Sequence, residues 1–396
     1  MRLSGGRLRL FAALFGLALV AGVVACGRIY GDGPSGDVVD GSVDAPMVQD
    51  TSASDAGTGA DGDAAVNDGA AVTCSSSAPS CKGGVLATVT GDPTSVALLG
   101  DVLYWSDHST KTIQRIPTKN GPVGSTVVAP AGGFPSRLAN VGGVLAWFAD
   151  SFAGTGMPPG KESGQGDTLK TCIPSSGCAA SSRFVAGTSA PAWDGDGGIT
   201  FGTVDGTPPT AHAIRIPFDL SSPSSQDMTG SQSALVDTTY AVGPHLVWFE
   251  SEFVHICSFA DCVGTQAPVA KAVGRYASAA NDSAVVWTDR HQIMGVTVTA
   301  AGVVSPVATL FAPPPGPSTD ITAVFVENDH VIFASARSQG AGLYRCPAAG
   351  CGANAPELVA RGGADGARFI AADAEAYYWF VIDQPGAQFA VYRAPR

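Results

Sequence analysis

From residue 82 to the end, the chain is a succession of short apolar runs broken by Gly, Pro, Asp and Asn, with no sustained helical period. Runs of this length and turn content predict β-strands. One run sets the pattern: residues 102–107 read Val-Leu-Tyr-Trp-Ser-Asp and follow the turn signal Gly100-Asp101. Related runs end at Trp147, Trp248, Trp287 and Trp379, and two more carry Phe201 and Phe333 in the same place. These marker aromatics stand 42, 54, 47, 39, 46 and 46 residues apart. A β-rich unit recurring at this spacing predicts propeller blades, since one unit cannot bury its apolar faces alone and a closed ring of them can. The expected fold class is all-β, a seven-bladed β-propeller over residues 82–396.

The first unit is expected to place strands over 95–98, 102–106, 112–116 and 126–129. Later units end near residues 186, 229, 273, 311 and 360. The seventh offers strands at 368–372, 376–380 and 388–392 and then has no fourth. Residues 85–89, ahead of the first unit, form a strand with no unit of its own. Pairing 85–89 with 388–392 completes the seventh blade, closes the ring and removes an exposed sheet edge.

Upstream of the repeats, Arg2, Arg7 and Arg9 precede an apolar run at 10–24 that is too short to span a membrane and has the design of a secretory signal. It ends Val23-Val24-Ala25-Cys26, which resembles the lipobox of bacterial lipoproteins. The resemblance implies cleavage before Cys26 and diacylglycerol on its sulfur. With Gly27 rather than Asp as the next residue, it also implies carriage to the outer membrane. Residues 1–25 are therefore expected to be a signal peptide and 26–81 a lipidated cysteine with its tether. Membrane contact would run through the lipid alone.

Eight further cysteines fall into close pairs: Cys74 with Cys81, Cys172 with Cys178, Cys257 with Cys262, and Cys346 with Cys351. An even count in an exported chain predicts disulfides, and no pair has the two-residue spacing of a zinc knuckle. Each loop is short, so chain entropy gives only about 2 kcal/mol per bond. Three of the pairs lie between the third and fourth strands of units two, four and six, as staples across hairpin turns.

Charge sharpens this division. Lys plus Arg number 22 and Asp plus Glu 34, a formal charge of −12. Removal of the three signal arginines would leave −15, of which residues 27–73, with nine Asp and Arg28, hold −8. That segment is otherwise mostly Ala, Gly, Ser and Val with almost no large apolar groups, and is expected to be a disordered, self-repelling tether. Its Gly57-Thr-Gly-Ala-Asp-Gly62 matches a dinucleotide pattern without the flanking strand and helix. Asp61, Asp63 and Asp68 lack the spacing and closing Glu of a calcium loop. With no basic stripe anywhere, nucleic acid is excluded as a partner. The signatures G-x-S-x-G, H-E-x-x-H, S-x-x-K with its partners and the P-loop are absent, so no catalytic residue is assigned.

Two units carry a more specific likeness. Tyr104-Trp105-Ser106-Asp107 with Ile113-Gln-Arg-Ile116, and Val286-Trp287-Thr288-Asp289, resemble the YWTD-type β-propeller repeat. Trp147-Phe-Ala, Trp248-Phe-Glu and Trp379-Phe-Val diverge from it, and YWTD propellers usually have six blades where seven are counted here. Tether plus propeller also resembles secreted lipoproteins of myxobacteria-like organisms, a likeness that brings no activity. The YWTD resemblance implies that the motif Asp accepts backbone N–H bonds within its own blade.

Candidate binding residues follow from the repeat. Asp107, Glu250 and Asp289 each lie two residues beyond a marker aromatic, with Asp150 and Asp383 close to that position and His108 and His291 just past it. The insertion 151–168, with Phe152, Met157, Lys161 and Glu162, and the Pro-rich loop 312–319 belong to the same face. A ring of acceptors there would suit a cation such as calcium or a basic partner; the alternative is that each carboxylate caps its own turn. No organic cofactor is expected. The expected function is a monomeric, membrane-anchored extracytoplasmic module that binds or scaffolds an envelope protein or glycan. The alternative is a lyase or hydrolase acting on polysaccharide or a small ester in the central channel, because propellers assemble sites from residues scattered over several blades.

Overall fold

The run Val102–Asp107 forms a strand flanked antiparallel by Pro93–Leu99 and Thr112–Pro117, and Thr126–Pro130 completes a four-stranded sheet. The computed structural model of the chain describes residues 84–396 apart from 120–125, 131–132, 151–167, 179–180, 185–190, 194–197, 206–209, 218–219, 221–224, 231–235, 313–319, 328, 337–341, 353, 362–366 and 385–387, together with the short strand Arg28–Ile29. The predicted signal peptide, Cys26 and the pair Cys74 and Cys81 lie outside the described residues.

Six more sheets repeat the arrangement. Blade 2 is Phe134–Val141, Val144–Asp150, Thr168–Cys172 and Ser181–Phe184, and blade 3 is Ala192–Trp193, Gly198–Asp205, Thr210–Pro217 and Gln226–Asp227. Blade 4 is Val236–Val242, His245–Glu250, Phe253–Ser258 and Ala267–Lys271; blade 5 is Ala277–Ala280, Ala284–Thr288, Ile293–Thr297 and Ala308–Phe311. Blade 6 is Asp320–Val326, His330–Ala336, Gly342–Pro347 and Glu357–Ala360. Blade 7 takes Ala367–Ala372, Ala376–Gln384 and Gln388–Pro395 from the end of the chain and its outer strand, Gly84–Thr90, from the beginning. Gly84 pairs opposite Arg393 and Thr90 opposite Gln388, the closure expected from the surplus strand. The protein is a seven-bladed β-propeller.

Packing explains why the aromatics recur. Trp105, Trp147, Phe201, Trp248, Trp287, Phe333 and Trp379 are all fully buried, and each sits on the second strand of its blade. Seven apolar clusters form, one at each junction between neighbouring blades. At the closing junction Trp105 of blade 1 meets Phe380 and Phe389 of blade 7 edge-on, with ring centroids 6.1 and 5.8 Å apart. Burying an indole removes some 150–250 Å² of surface, an upper estimate of about 4–6 kcal/mol each. The register slips by a residue between third and fourth strands in blades 1, 4, 5 and 6, at Ile113/Gln114, Val254/His255, Ile293/Met294 and Leu343/Tyr344. Such bulges raise local twist, and these four units share the device at one place.

Because strands alternate in direction, the turns between first and second and between third and fourth strands emerge on one face of the ring. We call this the lower face. The second-to-third turns and blade-to-blade connections emerge on the upper face. Disulfides Cys172–Cys178, Cys257–Cys262 and Cys346–Cys351 close third-to-fourth turns of blades 2, 4 and 6, so all three lie on the lower face. Gly177, at φ 82°, ends the 3-10 turn Pro174–Ser176 inside the first of these loops, a backbone shape that favours glycine.

One feature departs from the expected tether. Arg28–Ile29 pairs with the innermost strand of blade 5, Arg28 opposite Ser278 and Ile29 opposite Ala277. An innermost strand leaves one row of N–H and C=O groups unpaired toward the channel, and an extended segment can add to it. Helix is confined to single turns, and among the described residues none is long and apolar enough to cross a membrane.

Candidate functional site

At two of the predicted upper-face carboxylates, Asp107 and Asp289, the lone pairs are taken up by the turn that each precedes. Asp107 is fully buried at the end of the second strand of blade 1. Its Oδ1 accepts the N–H groups of Asp92, Ser109 and Thr110 at 3.2, 3.0 and 3.2 Å and the Ser109 hydroxyl at 2.7 Å. Its Oδ2 accepts the Gln114 amide at 2.7 Å. Gly91 approaches so closely that a Cβ there would run into this carboxylate. Asp289 repeats the arrangement in blade 5, accepting the N–H groups of His291 and Gln292 at 2.9 Å each and the Gln292 amide at 3.0 Å. Burial pushes the Asp289 carboxyl up, but those hydrogen bonds outweigh it and hold the group below the usual carboxylate range.

Glu250 departs from the pattern by pairing with a side chain, His255 Nε2, at 3.3 Å. The imidazole stacks on Trp248 at 5.1 Å. Burial lowers the His255 pKa, and the Glu250 charge opposes this without reversing it. His108 packs against Phe134 at 4.5 Å with its Nδ1 3.9 Å from Asp92, while His291 is exposed. Asp150 ends the second strand of blade 2; its side chain, Phe152 and most of the insertion 151–168 lie outside the described residues, as does 313–319 of the Pro-rich loop. No three of the predicted upper-face residues come within shared reach of one cation among the described residues. At Asp107 and Asp289 the carboxylate caps its own turn, the second of the two readings of these positions.

The lower face holds chemistry that the repeat pattern did not signal. The turn between Asp320–Val326 and His330–Ala336 in blade 6 carries Glu327, Asp329 and His330, with one potential ligand atom from each lying within 4.8 Å of the others. Glu327 is only 8% exposed. Its Oε2 accepts the Tyr377 hydroxyl at 3.2 Å and lies 3.0 Å from Arg396 Nη2, both contributed by the blade 7 end of the chain. Its Oε1 is buried and has no hydrogen-bond partner among the described residues. Asp329 lies on the surface, 2.8 Å from His330 Nδ1, and that bond holds its carboxyl below the usual range. Burial raises the Tyr377 hydroxyl pKa, and the Glu327 charge adds to the effect.

His330 also borders a cleft of about 220 Å³. Its other walls are Arg345, Glu357 and the stapled loop at Gly350, Cys351 and Asn354. Arg345 holds Glu357 in a two-pronged pair at 3.0 and 2.8 Å. A second lower-face cleft, about 390 Å³, lies between Tyr104 and Arg115 of blade 1 and Gly143, Pro174 and Ser175 of blade 2. Both therefore adjoin a disulfide hairpin. The turn itself has equivalents at Asn281 in blade 5 and Asp373 in blade 7, so the overlooked signal was the density of ligand types in Glu327-x-Asp329-His330.

No protein-family model matches the chain, and no curated protein matches it. Among solved structures it is similar to BamB from Moraxella catarrhalis, at 12% identity over 75% of this chain and 84% of that one, TM-score 0.40. It is similar to a catalytically inactive virginiamycin B lyase from Staphylococcus aureus with quinupristin, at 12% identity over 76% and 95% of the two chains, TM-score 0.47. The third similarity is to a nidogen/laminin complex, at 13% identity over 58% and 81%, TM-score 0.40. Likeness at this level assigns no chemistry to the chain.

Proposed function

We propose that this chain is an exported, lipid-anchored propeller that serves as a non-enzymatic binding scaffold for an envelope protein or glycan, engaged through the lower face. The observation that carries the reading is the disposition of the disulfides. All three staple the same face, in alternate blades, and two of them border its clefts. Disulfides persist in oxidising compartments, which supports export. Stapled turns on a rigid ring give a preorganised surface, and preorganisation lowers the entropy lost on binding. The lipobox-like Val23-Val24-Ala25-Cys26 supplies the anchor in this reading, set two residues ahead of the strand Arg28–Ile29 that joins blade 5.

Photo-cross-linking from two exposed positions in native envelopes tests it. A probe at Ser175 reports the lower face and one at Ser109 the upper. A saturable adduct from Ser175 and none from Ser109 is the expected result, with Cys26→Ser releasing the protein from the membrane fraction. Equal or absent adducts, together with turnover in a screen of esters and glycans, would overturn the reading in favour of an enzyme.

A further inference from the structure

We propose that Glu327, Asp329 and His330 bind one divalent transition-metal ion of the zinc class. Nothing in this inference depends on the scaffold reading; it stands on the geometry of a single turn.

The three ligands sit within four residues, placed by the turn between the first two strands of blade 6. Their ligand atoms lie within 4.8 Å of one another. Tetrahedral zinc with nitrogen and oxygen ligands at roughly 2.0–2.2 Å needs ligand atoms about 3.3–3.5 Å apart. Asp329 and His330, 2.8 Å apart at Nδ1, would part by about half an ångström and exchange their hydrogen bond for the ion, a movement open to an exposed Asp329 and a partly exposed His330, while Glu327 is anchored in the interior.

A separate observation points to a missing ligand. Buried carboxylate oxygens are almost always hydrogen-bonded, and one left alone keeps its full desolvation cost. Glu327 Oε1 is such an oxygen, whereas Oε2 is held by Tyr377 and Arg396. Metal-bound carboxylates typically have one oxygen secured by neighbours that orient the other toward the ion. Tyr377 and Arg396 occupy that role, and Arg396 offsets part of the negative charge that two carboxylates would concentrate here. The lower-face turn is therefore furnished on its protein side and open on its solvent side.

Donor type sets the class of ion. One imidazole and two carboxylates suit zinc, cobalt or manganese; calcium prefers six to eight oxygen ligands in a flexible shell. Three protein ligands leave a fourth position toward solvent at Asp329, the arrangement of an exchangeable rather than a sealed site. His330 also borders the cleft beside Arg345, so an incoming group could reach that position from the cleft.

The test uses the full chain, purified without a histidine tag, stripped with chelator and titrated with Zn2+ alone by calorimetry. One ion per chain is expected, and Co2+ in its place should give the visible absorption of a tetrahedral site. His330→Ala and Asp329→Asn change side chains at the surface, and circular dichroism would check that the ring persists. Each should weaken zinc at least tenfold, as should Glu327→Gln, while His291→Ala on the upper face should leave the affinity unchanged. Absence of stoichiometric zinc, or zinc binding indifferent to His330→Ala, would overturn the proposal. Calcium binding that survives His330→Ala would overturn the class of ion.

Discussion

Asp107 and Glu327 are both buried carboxylates beside a turn between strands, and they differ in where their lone pairs go. Asp107, on the upper face, meets five donors from its own blade. Glu327, on the lower face, meets two from the neighbouring blade on one oxygen and none on the other. Position in the repeat accounts for the difference. Asp107 belongs to a place where the carboxylate caps the second-to-third turn, as Asp289 does again in blade 5. Glu327 stands at another repeating place, the first-to-second turn, where Asn281 of blade 5 and Asp373 of blade 7 cap their own turns; its carboxylate, one methylene longer, reaches Tyr377 and Arg396 instead. A carboxylate released from turn capping is available for chemistry.

The contrast can be broken by mutation. The largest effect is expected from Asp107→Ala, which strands buried turn donors and should cost about 3 kcal/mol or more in urea unfolding. Glu327→Gln keeps an acceptor for Tyr377 and should cost clearly less. If the two losses came out in the reverse order, the division of labour between the faces would be wrong. Next in size is the lower-face staple: Cys257→Ser with Cys262→Ser should remove about 2 kcal/mol, read in the same assay.

Smaller effects sharpen the upper-face side through pH. The Asp289 carboxyl is held low in the folded chain, so its contribution is complete above the unfolded value near 3.9 and is lost as pH falls through the folded value. Because the group is largely solvated, that contribution is below about 1 kcal/mol. Asp289→Asn should therefore flatten the acid limb of the stability curve while leaving neutral pH nearly unchanged. His255 has the same sign in a higher window. Its folded pKa is lowered, so its share of stability is present above about pH 6.5 and is lost as pH falls through the folded value. His255→Gln should reduce the slope of Tm against pH between 7 and 5. An unchanged slope would mean that the Glu250 charge cancels the burial of the ring.

Much of the architecture was legible in the residues because a propeller repeats its requirements. Trp105 and its six counterparts mark second strands since each must fill a junction, and the seven-blade count followed from them. Gly84–Thr90 could be assigned to the far end by counting, as the seventh unit was one strand short. The cysteine pairs were legible for the same reason, through recurrence at one blade position. The site was less so. The positions of Asp107 and Asp289 were plain, but whether their oxygens were free depended on Ser109, Thr110, Gln114 and Gln292, and on the path of each turn. Glu327 was hidden more thoroughly. Its partners Tyr377 and Arg396 come from the end of the chain, and only ring closure brings them alongside blade 6. A short extended segment such as Arg28–Ile29, lacking any repeat or marker, carried no signal that would distinguish it from the sequence around it.

The shared seventh blade has a kinetic consequence. Gly84–Thr90 is synthesised before any complete blade, yet its partner Gln388–Pro395 is made only after all six intervening blades. Throughout synthesis the early strand has nowhere to dock, and the first and last blades each keep an open flank. Pairings between segments so far apart in sequence are slow to form, and unpaired strand flanks are the surfaces through which unfinished chains associate wrongly. The waiting chain therefore depends on its six earlier blades for solubility, and the eight-residue strand Gln388–Pro395 acts as a latch that locks the ring in one late step. A nascent protein shortened by that segment should stay trapped as an open arc, prone to pairing with a second copy of itself.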